Sequence, residues 1–291
     1  MVSIVILSDK ICLHNVDDIE MKCIKCGKLT CDIRAEPTNP VIKGLRDQTY
    51  QDFEIIVATE PGIVTAMNCA LARAKGEIFV RIDDDVELPP TWLEELVKPF
   101  SDPMVAGVTG PTFVHRSQRE NRDSIGFIDR HWSNWFLRWL FDFDVFAPAK
   151  IYKCGSVSYG SNFINRMLMW RDYKIDHLEG TNWAMRTDLI RKVGGFDPVF
   201  EGVAEWFDTD VEQKILKLGG YKLAYNPKAY LWHLLTKGEH YNERFDGLSR
   251  IINWLIYHRR HSKFHYKKII WLMMMCGYFL LKGGERLVRK V

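Results

Sequence analysis

The feature that most constrains this chain is the regular alternation of short apolar runs with amphipathic ones over its first 82 residues. Val2–Leu7, Phe53–Ala58 and residues 78–82 (Ile-Phe-Val-Arg-Ile) have strand length and are rich in β-branched and aromatic side chains. Between them, residues 39–48 carry Val41, Ile42 and Leu45 at helical spacing, with Pro40 acceptable in a first turn. Residues 63–74 repeat the pattern with Val64, Met67, Ala70, Leu71 and Ala74, and stop near Gly76. Strand, helix, strand, helix, strand calls for a parallel sheet with right-handed crossovers. The expected class is α/β, with ligands at the carboxyl ends of the strands.

Further along, Pro89-Pro90 precedes a helix with Leu93, Leu96 and Val97 on one face, and residues 104–109 read as a strand. Residues 127–146 are densely aromatic and predict one amphipathic helix. Strand-like runs return at 222–225 and 229–232, and the tail from 240 to 291 is helical and basic. The expected division is a sheet domain over 1–235 and a helical region over 236–291.

The formal charge of +3 is too small to imply nucleic acid. Its distribution matters more. Between Arg259 and Lys268 there are five Lys or Arg residues and no acid, with His258, His261 and His265 beside or among them. Such a segment suits an anionic surface such as a phospholipid headgroup layer. The apolar run at 269–281 is shorter than the ~20 residues that a bilayer-crossing helix needs. Met1–Leu7 lacks the basic start and small-residue cleavage site of a secretory leader. The expected place is therefore the cytoplasm, with peripheral attachment to the inner face of the cell membrane as an option. For the aromatic helix and the tail at 248–281, an interfacial helix and a hairpin packed on the core both remain open.

Cys12, Cys23, Cys26 and Cys31 fall within twenty residues, and Cys23-Ile24-Lys25-Cys26-Gly27 is a metal knuckle in form. In a reducing compartment that spacing favours a structural Zn²⁺ over disulfides, with His14 a possible replacement ligand; four free thiols are the alternative. Cys69, Cys154 and Cys276 are isolated and read as small buried hydrophobes.

Asp83-Asp84-Asp85 directly follows the third apolar strand. Three successive carboxylates at a strand end repel one another, and a divalent cation relieves the repulsion. Oxygen ligation points to Mg²⁺ or Mn²⁺ bridging carboxylates and substrate phosphates.

Several segments then resemble a known family. Val2-Ser3-Ile4-Val5-Ile6, the stretch from Leu45-Arg46-Asp47-Gln48 to Ile55-Ile56-Val57, and Ala74-Lys75-Gly76-Glu77 running into the three aspartates are similar to the nucleotide-binding half of family 2 inverting glycosyltransferases. Glu179-Gly180-Thr181-Asn182-Trp183, Val193-Gly194-Gly195-Phe196-Asp197 and Asp208-Thr209-Asp210 resemble the acceptor half. The resemblance implies a GT-A fold, that is, a Rossmann-like, mostly parallel sheet flanked by helices. It further implies a nucleoside-diphosphate sugar donor, a glycan or lipid-linked acceptor, and a DXD motif in which Asp83 and Asp85 hold the metal around Asp84. It gives Asp208 as catalytic base, with Asp210 and Glu205 as alternatives. Phe207 stands where the family's acidic motif has Glu. His233 is implied near the metal or diphosphate, Glu60 near the donor nucleotide, and Asn182 and Trp183 beside the acceptor. A nucleotidyltransferase and a non-catalytic nucleotide-sugar-binding module are the competing readings. The first should carry a glycine-rich phosphate loop after the first strand, which Ser8-Asp9-Lys10-Ile11 is not.

Overall fold

The five alternating segments fold as their pattern requires. In the computed structural model they are β1 (Val2–Leu7), α1 (Pro40–Arg46), β2 (Phe53–Ala58), α2 (Ile63–Arg73) and β3 (Ile78–Asp83). The structure describes residues 1–8, 39–121, 123–163, 173–200, 202, 204–235 and 247–290, so the cysteine cluster and His14 lie outside the described residues. β1 pairs in parallel with β2 on one side and β3 on the other. Asn39 caps α1, its side chain accepting from the Val41 and Ile42 amides, and Pro40 occupies the first turn.

The chain continues through β4 (Val86–Glu87), α3 (Trp92–Val97), β5 (Val105–Thr109), β6 (Thr112–Phe113), α4 (Asp123–His131), α5 (Trp135–Leu140), β7 (Asn182–Arg186), α6 (Thr187–Lys192), α7 (Phe207–Lys217), β8 (Lys222–Tyr225), β9 (Leu231–His233), α8 (Gly247–His261) and α9 (Lys267–Lys290). The main sheet has the order β2-β1-β3-β7-β5-β8. β7 alone runs against its neighbours, antiparallel to β3 and to β5, and the sheet is otherwise parallel. This is the mostly parallel α/β architecture of the GT-A class, with a helical carboxyl-terminal region.

Both faces of the sheet are covered. Val2, Ile4, Ile6, Val80 and Ile82 pack toward α1 and α3, whereas Val5, Phe79, Trp183 and Met185 pack toward α2, α6 and α7. The period-2 alternation of strands thus serves two separate cores. A third cluster joins Val114, Leu137, Leu140, Phe141, Tyr152 and Phe163 to Ile270, Trp271 and Met274 of α9. Tyr257 of α8 enters the main core.

The single aromatic helix expected over 127–146 is two helices. Asn134 breaks it, because its side chain accepts from the Leu137 amide and starts α5 afresh. Asp142 and Phe143, both with positive φ, end α5. The last core strand lies at 231–233 rather than 229–232.

A second, three-stranded sheet orders β4-β9-β6. Asn182 ties it to the first. The buried Trp92 indole donates to Asn182 Oδ1 at 2.9 Å, and Asn182 Nδ2 donates to the carbonyls of Pro111 (3.1 Å) and Ala229 (2.8 Å). Replacing Asn182 by Ala strands the Trp92 indole and the Ala229 carbonyl, each worth about 1 kcal/mol or more, and leaves the Pro111 carbonyl with the Leu231 amide. We expect Asn182→Ala to lose about 2–4 kcal/mol in urea denaturation; a loss below about 1 kcal/mol would show that the pin is unimportant.

Candidate active site

The carboxyl end of β3 carries the acidic run, and the small sheet brings histidine to it. β4 follows the aspartates immediately and pairs antiparallel with β9, setting Val86 opposite His233. The Leu234 amide then donates to the Asp85 carbonyl at 2.9 Å. The buried His233 Nε2 lies 3.1 Å from Asp85 Oδ1 and 3.8 Å from Asp83 Oδ2. One donor atom from each of Asp83, Asp85 and His233 falls within 4.8 Å of the others, so this trio could hold a metal ion. Asp84 is oriented elsewhere: Ser8 Oγ donates to its Oδ2 at 2.6 Å.

Arg81 is the residue that sequence reasoning passed over. Side chains alternate along β3, so Phe79, Arg81 and Asp83 share the face toward α7. A buried guanidinium must be paired. Arg81 Nη2 lies 3.0 Å from Asp83 Oδ1, while Nη1 donates to the Gly180 carbonyl and lies 3.7 Å from Asp208 Oδ2. Its guanidinium sits over the Phe207 ring, 5.7 Å from the centroid. An arginine inside the otherwise apolar run Ile-Phe-Val-Arg-Ile was the available signal.

Asp208 opens α7 and is nearly buried. Its Oδ1 accepts from the Thr209 amide at 2.9 Å. The turn delivering it is strained, with Ala204 and Trp206 both at positive φ and Trp206 stacked on Tyr257 at 4.4 Å. Thr181 Oγ1 donates to Asp83 Oδ2 at 3.0 Å, so the 179–182 loop touches the aspartates as well as Arg81.

Residues 36–194, more than half of the chain, match the profile described as glycosyl transferase family 2. The chain belongs to that family. Family 2 membership sets aside the nucleotidyltransferase alternative. The matched segment includes the aspartates and the 179–194 stretch, and ends before α7 and His233. Among curated proteins, the succinoglycan biosynthesis protein ExoM of Rhizobium meliloti (strain 1021) is 28% identical over 88 residues, covering 30% of this chain and 28% of that protein. The matched stretch therefore spans less than a third of that relative. Solved structures similar to this chain include the mannosyltransferase PcManGT from Pyrobaculum calidifontis in complex with GDP-Man and Mn²⁺ (14% identity, TM-score 0.47, covering 98% of this chain and 75% of that one). Another is GalNAc-T7 with UDP, GalNAc and Mn²⁺ (15% identity, TM-score 0.46, covering 71% of this chain and 36% of that one).

The other expected site residues of this glycosyltransferase are placed as follows. Glu60, just past β2, accepts from the Thr59 amide and pairs with Arg73 at 3.3 Å. Glu205 pairs with Arg250 at 3.0 Å. Asp210 is fully buried among Lys214 (2.7 Å), His261 (2.7 Å) and Arg260 (3.2 Å), fastening α7 to α8. Asn182 and Trp183 do not line an acceptor pocket. Asn182 is spent on the pin described above, and Trp183 is fully buried beside Phe79 and Phe196. Aromatic and amide groups that suit sugars suit a core equally well, and here the core holds them.

One turn beyond Asp208, Glu212 had no sequence signal. It is fully buried, its Oε2 accepts from the Leu178 amide at 3.1 Å, and Oε1 has no hydrogen-bond partner among the described residues. Burial, and then the Asp208 charge, raise its pKa well above the ordinary carboxylate value and favour its neutral form. For Asp210 burial works upward, but hydrogen bonds from His261 and Lys214 outweigh it and bring the pKa down to about 2.

The two acids give opposite pH signatures. Folded Glu212 keeps its proton where the unfolded chain loses it, so its burial costs stability increasingly as pH rises above about 4.5. Glu212→Gln should raise the melting temperature at pH 8, and the gap should close toward pH 4; no gap at pH 8 would mean that the carboxyl is not held neutral. Asp210 contributes stability above about pH 4 that is lost as pH falls toward 2. Asp210→Asn should cost about 2–4 kcal/mol at pH 7 and much less near pH 2, read from denaturation midpoints at both pH values.

Proposed function

We propose that this glycosyltransferase moves a sugar from a nucleoside-diphosphate donor to a hydroxyl of a glycan or lipid-linked acceptor, with inversion at the anomeric carbon. The observation that carries the reading is one buried guanidinium joining a carboxylate of the Asp83–Asp85–His233 group to Asp208 at the start of α7. An inverting displacement needs the leaving group on one side of the sugar and a base on the other, each held close to the reacting carbon. The two carboxylates bridged by Arg81 supply those two sides.

On the donor side, Asp83, Asp85 and His233 would hold a divalent cation, which stabilises charge gathering on the departing diphosphate. Two carboxylates and an imidazole favour Mn²⁺ over Mg²⁺, because imidazole suits the softer ion. Glu60 lies past β2, at the same carboxyl end of the parallel strands, where it can meet the nucleotide. On the acceptor side, Asp208 takes the proton from the attacking hydroxyl. Glycine at 180 keeps the space beside it clear: an added methyl would stand 3.8 Å from Asp208 Oδ2. Asp210 is a poorer base, since Lys214, Arg260 and His261 hold its carboxylate. Glu205 is bound to Arg250.

The test is kinetic. With the donor found by screening nucleotide sugars, Asp208→Asn should retain nucleotide binding and lose transfer by about 10²–10⁴-fold. Asp210→Asn, assayed where it is folded, and Glu205→Gln should both keep most of their turnover. Full activity in Asp208→Asn with loss in either of the others would overturn the assignment.

A further inference from the structure

Among the described residues, an exposed aromatic surface lies where α5 meets the loop between α8 and α9. Trp135 is 69% exposed, Phe136 39%, Phe264 76% and Tyr266 54%. Scattered apolar residues on a surface are ordinary, but a contiguous group is not. Three of these meet around Trp139, and Phe264 stands two residues from Tyr266. Trp139 lies 6.4 Å from Trp135, 5.6 Å from Phe136 and 6.2 Å from Tyr266, centroid to centroid. Lys267 locks the two segments together, its Nζ 4.7 Å from the Trp139 ring centroid and 2.8 Å from Asp142 Oδ1.

α9 carries further exposed apolar residues. Ile270, Trp271 and Met274 use one face of that helix to pack on the third core cluster. Ile269, Met273 and Leu280 recur on another face and are exposed. A helix apolar on two faces has a second face to cover. Among the described residues, no helix is long and apolar enough to cross a membrane. Basic residues adjoin the aromatic ones in sequence: Arg138 precedes Trp139 and Lys263 precedes Phe264. Arg138 and Lys263 are exposed, and residues 259–268 contain no acid.

We infer that this face docks in the plane of an anionic lipid surface, with Trp135, Phe264 and Tyr266 at headgroup depth and Arg138 and Lys263 on the phosphates. Exposed aromatic rings with exposed cationic neighbours in sequence match the chemistry of such an interface. A two-fold copy of the chain fits less well, because it would bring the same basic side chains to both sides of the interface. The inference goes beyond the transfer reaction and can fail independently of it. It also has a structural consequence. Two residues before Lys263, His261 holds Asp210 at 2.7 Å, and Asp210 is two residues from Asp208. The docking face is thus anchored to the helix that carries the candidate base, as an acceptor attached to lipid would require.

The test uses the full chain in co-sedimentation with phosphatidylcholine vesicles, with and without phosphatidylserine. The protein should bind the anionic vesicles and bind the neutral ones much more weakly. Trp135→Ser with Phe264→Ser should weaken binding at least ten-fold, and Arg138→Gln or Lys263→Gln by about five-fold each. All four side chains are exposed, so melting temperatures should be unchanged. As a second readout that leaves the patch intact, brominated lipid should quench tryptophan emission, and Trp135→Phe should remove part of that quenching. Failure to bind anionic vesicles, or undiminished binding by the aromatic variant, overturns the inference. So does a dimer in sedimentation that the aromatic variant converts to monomer, which would assign the face to a second copy.

Discussion

Arg81 is the interaction on which the rest of the structure turns. A guanidinium placed inside a buried strand has to be satisfied or the fold loses several kcal/mol. Its partners come from three places: Asp83 on its own strand, the Gly180 carbonyl in the loop before β7, and Asp208 at the start of α7. The pairing therefore fixes how the antiparallel strand enters the sheet and where α7 begins. Phe207 completes the arrangement by laying a ring beneath the cation. Asp208 thus has an apolar face as its neighbour, and burial favours the neutral form of the Glu212 carboxyl one turn later.

Around that centre the fold divides the work. The parallel strands β1, β2 and β3 end together and present Ser8, Glu60 and the aspartates on one side of the molecule. The short β4–β9 ladder adds His233, a residue about 150 positions away in sequence, by setting it opposite Val86. Asp210 and its cations bind α7 to α8, so the position of Asp208 depends on the carboxyl-terminal helices as well as on the sheet.

How much of this could be read in advance follows from how local each feature is. The β/α alternation through residue 83 was legible because each element writes its own period into the sequence. Asp83 and Asp85 were legible because three carboxylates at a strand end are chemically conspicuous. β7 was not read as a strand, since buried on both faces it shows no alternation. His233 came only through resemblance, because no local pattern encodes a ladder between distant strands. Asn182 and Trp183 misled because hydrogen-bonding amides and aromatic rings serve a core as readily as a sugar. Glu212 had no signal, for a glutamate one turn into a helix normally faces water. The aromatic segment was read as one helix because its hydrophobic spacing survives the break that the Asn134 cap imposes.

The central claim is that Asp83, Asp85 and His233 form a cation site that receives the donor diphosphate. Calorimetric titration of nucleoside diphosphates into the protein, with and without Mn²⁺, tests it most directly when wild type is compared with His233→Ala. The account predicts saturable binding of one nucleotide that requires Mn²⁺ and weakens at least about ten-fold in the variant. Equal binding in metal-free buffer, or an unchanged affinity in His233→Ala, would contradict it.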